Sequence, residues 1–141
     1  MAILTRKLPE FLLYPFPEIS WRKSGNQRSV FLTFDDGPDP LTTPEILQIL
    51  NENGVSATFF LLGKQIWDHR QKLNQLNFGK HGLANHGYHH VPYFYRSGNW
   101  YVNEIFTTDQ LLQRYFQKTS RWFRPPYGIW GPGLRRKLFK T

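Results

Sequence analysis

The chain has 141 residues and not one cysteine. Disulfides, thiol nucleophiles and zinc–thiolate sites are therefore excluded, and any metal must be held by histidine and carboxylate. Acidic residues are scarce, 10 against 18 Lys and Arg, which leaves a net charge of +8. A field of that sign attracts nucleic acid, acidic polymers or a charged membrane surface, without choosing among them. Long apolar runs are missing as well: no segment reaches the roughly 20 apolar residues of a membrane-spanning helix. The opening stretch carries Arg6 and Lys7, and Pro9, Glu10, Pro15 and Pro17 interrupt the apolar residues around them. A signal peptide needs an unbroken apolar core of about 7–15 residues, so none is read here. Low-complexity tracts and internal repeats are absent too.

What the chain does have is aromatic residues, 12 Phe, 7 Tyr and 5 Trp, enough to build a core and to exclude a disordered chain. One domain is expected at this length. Residues 1–27, interrupted by prolines, read as an irregular N-terminal arm, and residues 28–141 as the folded domain. Ser29 to Phe34 reads as a buried strand that ends in the turn signal Asp35-Asp36-Gly37-Pro38. A helix follows, with Thr43 as its cap, Pro44 at its first position, Ile46, Leu47 and Leu50 on its apolar face, and Gly54 at its end. Val55 to Leu62 reads as a second strand, a helix is expected within 64–77, and Gly82 to Ala84 reads as a weak third strand. Residues 91–102 read as a Tyr-rich loop and 103–118 as a helix with Leu111, Leu112, Tyr115 and Phe116 on one face. Arg121 to Arg124 reads as a short strand, and a basic helix is expected around 133–139. Strands alternating with helices predict an α/β protein with parallel strands. A closed eight-stranded barrel takes about 250 residues, so the sheet is expected to be open or unfinished.

Three segments carry chemistry, each at the end of a predicted strand, where parallel α/β folds place reactive groups. In Asp35-Asp36 the two carboxylates point different ways, so one can bind a metal while the other stays free as a base; a solvated turn is the alternative. His86 and His90 are four residues apart, a ligand spacing. The alternative is a hydrogen-bonded pair, and His81 and His89 are nearby competitors. Arg124-Pro125-Pro126-Tyr127 can hold an arginine and a backbone N–H rigidly; alone it reads as a stiff turn. Together, an aspartate and two histidines make a facial metal site with open positions, a second carboxylate can act as general base, and an N–H can stabilise an oxyanion. That inventory suits hydrolysis of an amide or ester.

These residues resemble the polysaccharide deacetylases, carbohydrate esterase family four. Thr33 to Pro38, TFDDGP, looks like the family's first motif. His86 with His90 is similar to its second, Arg124 to Tyr127 to its third, and Val55 to Phe60 resembles its second strand. The resemblance implies an incomplete deacetylase-type (β/α) barrel, roughly the first four to five strands of a distorted TIM-like barrel. It implies Asp35 as general base, oriented by Arg124, and Asp36, His86 and His90 as ligands of a divalent metal, zinc before others. It implies that the Tyr127 N–H helps form the oxyanion hole and that Pro126 and Tyr127 meet the substrate. The implied reaction removes acetyl from N-acetylglucosamine units of a glycan such as peptidoglycan or chitin. Gly87 stands where the family has Ser or Thr, which implies looser histidine geometry. The family's general-acid motif would lie beyond Thr141, so a shortened deacetylase domain is expected, either with reduced turnover or as a remnant that binds carbohydrate or metal without turnover. Self-association through an exposed sheet edge follows from that expectation. Nucleic acid is not expected as a partner, because no binding module accompanies Arg135-Arg136-Lys137. The family works at the cell envelope, whereas the absence of a recognised export signal would suit the cytoplasm.

Overall fold

The computed structural model of the chain describes residues 30–92, 96–118, 121–129, 134, 137 and 138. The arm expected over 1–27 lies outside these residues, as do Tyr93 and Tyr95. Of the expected C-terminal basic helix, Leu134, Lys137 and Leu138 are described, and all three are helical. Every element below belongs to the unit Phe31–Thr141.

The order is β1 (Leu32–Asp35), α1 (Thr42–Glu52), β2 (Ala57–Leu61), α2 (Gly63–Asp68), a 3-10 turn (Leu73–Gln75), β3 (Gly82–Asn85), α3 (Gly98–Phe116) and a 3-10 turn (Pro126–Gly128). The three strands form a parallel sheet in the order β1-β2-β3. The expected α/β class with parallel strands is thus observed. Its register pairs Asp35 with Phe60 and Leu61 with Asn85, so the carboxyl ends of all three strands meet at one edge. The strand expected at 121–124 is reduced to one parallel bridge, Asn85 to Phe123. The Asn85 N–H donates to the Trp122 carbonyl, and the Arg124 N–H to the Asn85 carbonyl, each at 3.0 Å. The next residue whose N–H would face β3 is Pro126, which has none with which to prolong the ladder.

Helix boundaries depart from the sequence reading for identifiable reasons. Asp39, not Thr43, caps α1: its Oδ1 accepts the Leu41 and Thr42 N–H groups at 2.9 and 2.7 Å. Thr43 is buried, and its hydroxyl accepts the Asp39 N–H at 2.9 Å. At the other end Gly54 takes φ +68, and the Val55 N–H reaches back to the Leu50 carbonyl at 2.9 Å, the left-handed helix stop that favours glycine. The helix expected within 64–77 is α2, which ends at Asp68 and is followed by the separate 3-10 turn. Helix α3 begins at Gly98, inside the expected loop 91–102, because Ser97 caps it through a bond from the Trp100 N–H at 3.3 Å. Tyr101 is buried there, and its hydroxyl donates to the carbonyls of Val91 and Pro92.

The core lies between the sheet and the helices. Phe59 of β2 is its centre, stacked on Phe34 at 5.1 Å and edge-on to Phe78 at 5.2 Å. Leu47 and Leu50 of α1, Ile66 of α2, Leu83 of β3, and Leu111 and Leu112 of α3 close around it. Tyr115 and Phe116 pack against this cluster on the same face of α3 as the two leucines. Gly63 lets α2 approach α3: a Cβ there would lie 2.4 Å from the Thr108 hydroxyl oxygen and 2.5 Å from the Tyr88 ring. His81 is buried at the start of β3, with Nδ1 accepting the Ala57 N–H and Nε2 facing Asn51 Oδ1, each at 3.3 Å. Burial, reinforced by the charges of Lys80 and Lys118, pushes its pKa below the usual histidine value.

This packing sets the expected response to two substitutions. Phe59→Ala is expected to lower stability by about 3–5 kcal/mol in urea unfolding, whereas Ile49→Ala, on the exposed face of α1, should stay within about 0.5 kcal/mol. Because the folded state lowers the His81 pKa, its neutral form supports the fold above the unfolded value of about 6.5, and that support is lost as pH falls through the depressed folded value. Unfolding curves at pH 7.5 and 5.5 should therefore show a smaller acid-induced loss for His81→Gln than for the unmodified chain; equal losses would contradict this account.

Candidate metal centre

The strand edge where β1, β2 and β3 end carries all three chemical segments. Asp36 follows β1 with φ +71, a left-handed conformation that aspartate tolerates better than most residues. The two neighbouring carboxylates consequently diverge. Asp35 Oδ1 receives the Arg124 guanidinium Nη1 at 2.7 Å. Asp36 Oδ1 faces His86 Nε2 at 3.4 Å and His90 Nε2 at 3.3 Å.

His86 and His90 are delivered by the turn that leaves β3. His86 is buried, and its Nδ1 lies 2.7 Å from the Arg124 carbonyl. A carbonyl can only accept, so Nδ1 carries the proton and the Nε2 lone pair is turned toward Asp36. Burial lowers the His86 pKa, opposed by the Arg124 hydrogen bond and by the charges of Asp35 and Asp36, so the ring favours the neutral form that binds metals. His90 is partly exposed and rests on the Tyr127 ring, with centroids 4.4 Å apart. Gly87, at φ +84, makes the reversal between them, and its N–H donates to Asn85 Oδ1 at 2.7 Å. Despite the missing hydroxyl at Gly87, the two imidazoles converge on one carboxylate oxygen.

Arg124 ties the third segment to the other two. Its guanidinium lies over the Phe60 ring at 4.0 Å and also reaches the Thr33 hydroxyl at 3.1 Å. Pro125 and the buried Pro126 lead into Tyr127, whose φ of +58 turns the chain beside His90 and leaves the Tyr127 side chain exposed. The competing histidines lie elsewhere: His81 bonds Ala57 and Asn51, and His89 turns to Glu104. Trp100 and Tyr101 pack on each other, with Trp100 also stacked on His89. Sequence reasoning missed Glu104, Asp109 and the anchoring part of Asn85. Each acts across a wide sequence gap with no local pattern to announce it.

The three donor atoms of Asp36, His86 and His90 lie within 4.8 Å of one another. Bonds of about 2.0–2.1 Å at tetrahedral angles would set neighbouring donors about 3.3–3.4 Å apart. The two Asp36–imidazole separations, 3.4 and 3.3 Å, fit that edge. Two imidazoles and one carboxylate form a donor set suited to zinc and to other divalent ions of its series.

The sequence profile of the polysaccharide deacetylases matches residues 22–140. A peptidoglycan-N-acetylglucosamine deacetylase of Bacillus cereus is 38% identical over 103 residues, covering 73% of this chain and 38% of that protein. The structure of peptidoglycan deacetylase PdaC from Bacillus subtilis superposes with a TM-score of 0.71 at 32% identity, over 80% of this chain and 56% of that one. A family 4 acetyl xylan esterase from Clostridium thermocellum, solved with a cobalt ion, superposes with a TM-score of 0.62 at 30% identity, over 74% of this chain and 51% of that one. The chain spans well under two thirds of the length of each of these relatives. With the family profile running through all three motifs, from the strand before Asp35 to the turn after Tyr127, this chain belongs to the polysaccharide deacetylase family.

Proposed function

We propose that this chain carries the metal-binding and general-base side of a hydrolytic site that removes N-acetyl groups from N-acetylglucosamine units of a glycan, peptidoglycan or chitin-like. The observation that carries this reading is the divergence of two adjacent carboxylates. Asp36 joins the histidine pair, and Asp35, bonded to Arg124 at 2.7 Å, stands beside that set without belonging to it. The peptidoglycan deacetylases among its relatives support the substrate class, and the cobalt-bound relative supports a divalent metal. Zinc is the first candidate.

A zinc ion held by Asp36, His86 and His90 would supply Lewis acidity for a carbonyl and for water. The protein's own residues do the rest. Arg124 holds the Asp35 carboxylate in a fixed direction, so that Asp35 can take the proton of the attacking water. The Tyr127 N–H, placed by Pro125 and Pro126, donates to the oxygen that gains charge as the acetamide carbonyl is attacked. Breaking the amide C–N bond, with the proton taken by Asp35 passed to the leaving nitrogen, then yields acetate and the free amine. Pro126 and Tyr127 border the site and meet the glycan, and the net charge of +8 suits an anionic polymer. Self-association belongs to the same reading, because among the described residues β1 ends the sheet order with Leu32 exposed.

Acetate release from N-acetylglucosamine oligomers is expected to require added zinc and to vanish in Asp36→Ala, with calorimetry showing lost metal binding in that variant. Asp35→Asn is expected to keep zinc yet lose about 10²–10⁴ in rate. A folded, zinc-loaded chain that releases no acetate would instead identify the second reading, a remnant that binds metal or carbohydrate without turnover.

A further inference from the structure

Helix α3 contributes no atom to the metal centre, yet it holds the turn that contains both histidines. Glu104 is buried in α3, and its carboxylate faces that turn. Oε2 accepts the His89 backbone N–H at 2.6 Å, and Oε1 lies 3.1 Å from His89 Nδ1. A short bond from an N–H to a carboxylate is among the stronger hydrogen bonds in a protein. A buried carboxylate is costly unless its lone pairs are satisfied, and here both oxygens are spent on one residue, the neighbour of the ligand His90. The same helix grips the other end of the turn. Asn85 Nδ2 donates to the Ile105 carbonyl and to Asp109 Oδ1, each at 2.8 Å, while Asn85 Oδ1 takes the Gly87 N–H.

Simple helix–loop packing is the plainer explanation of such contacts, but a packing contact would serve anywhere along the turn. This one falls on the residue that precedes His90. His86 is independently held by its own bonds, from its N–H to the Leu61 carbonyl at 2.9 Å and between its ring and Arg124. His90 has no comparable ring hydrogen bond to the backbone among the described residues; away from Asp36, its ring rests on Tyr127. The position of its Nε2 therefore depends on the backbone that Glu104 holds. We infer that Glu104 is a positioning residue of the metal centre: its carboxylate fixes the His89 peptide and so sets the His90 imidazole at ligand distance from Asp36. This rests on the metal site proposed above.

The test measures zinc affinity by calorimetry and the visible spectrum of the cobalt(II)-loaded chain, beside thermal melting of the metal-free proteins. Glu104→Ala should weaken zinc binding about 10–100-fold, the usual cost of losing a group that orients a ligand, and should change the cobalt spectrum. Glu104→Gln, whose amide oxygen can still accept the His89 N–H, should recover affinity to within a few-fold. Leu111→Ala, a core truncation on the same helix, should lower the melting temperature without changing affinity. Unchanged affinity and spectrum in a folded Glu104→Ala, or losses in Leu111→Ala as large as those in Glu104→Ala, would overturn the inference. If the unmodified chain binds neither metal, the site itself fails, and the inference with it; binding that is lost in Asp36→Ala but kept in Glu104→Ala would sink the inference alone.

Discussion

Arg124 is bonded to each of the other two chemical segments at once, and the site depends on those bonds. Its backbone N–H pairs with the Asn85 carbonyl at the end of β3, and its own carbonyl accepts the His86 Nδ1 proton. Its guanidinium holds Asp35 at the end of β1 and lies on Phe60 at the end of β2. One residue thus selects the His86 tautomer that presents Nε2 and balances the charge of the carboxylate proposed as base. The stacking on Phe60 and the bond to Thr33 restrict the guanidinium, so the ion pair has a defined direction despite its partial exposure. A freely rotating arginine in water would give little of this.

Around that bond network the scaffold is arranged in two tiers. The parallel sheet brings Asp35, Phe60 and Asn85 to a common edge, because parallel register places strand ends side by side. Helices α2 and α3 then close on the turn after β3. Gly63 lets them come near, and its N–H donates to the Gly87 carbonyl at 2.9 Å, while Lys64 donates to the Tyr88 carbonyl at 3.0 Å. The turn is consequently held from its sheet side, from α2 and from α3. Unusual backbone marks the places where direction must change sharply at the site: Asp36, Gly87 and Tyr127 all have positive φ. Residues held in that region persist only where their surroundings over-determine them.

Much of this is legible from the chain itself where the signal is local. The α1 apolar spacing, the Gly54 stop and the apolar run of β2 depend on neighbours a few residues away, and their positions agree with the structure to within a residue or two. The grouping of Asp36 with His86 and His90, and of Asp35 with Arg124, is expected from motif order and resemblance, and the geometry brings those groups together. What the sequence reading misplaces depends on distant partners. Helix α3 starts five residues before the expected Asn103, because Tyr101 is buried by bonds to Val91 and Pro92 and Ser97 supplies a cap. The cap of α1 falls on Asp39 instead of Thr43, since Thr43 is drawn inside while a carboxylate three residues ahead of Thr42 reaches two free N–H groups.

The amino-acid sequence by itself determined the chemical inventory: with no cysteine, any metal must sit on imidazoles and carboxylates, and the order of TFDDGP, the histidine pair and RPPY already placed those groups at strand ends. It also set the alternation of strands and helices, because apolar spacing and turn residues act over a few bonds of chain. Only the tertiary structure decided which carboxylate faces the histidines, which ring nitrogen is free, and that Glu104 and Asn85 hold the turn between them. Apart from the Asn85–Gly87 bond, which spans two positions, those outcomes depend on bonds and ion-pair contacts between groups 15 to 89 positions apart. Such bonds exist only after the sheet has aligned its strand ends, and no local pattern of side chains encodes their geometry.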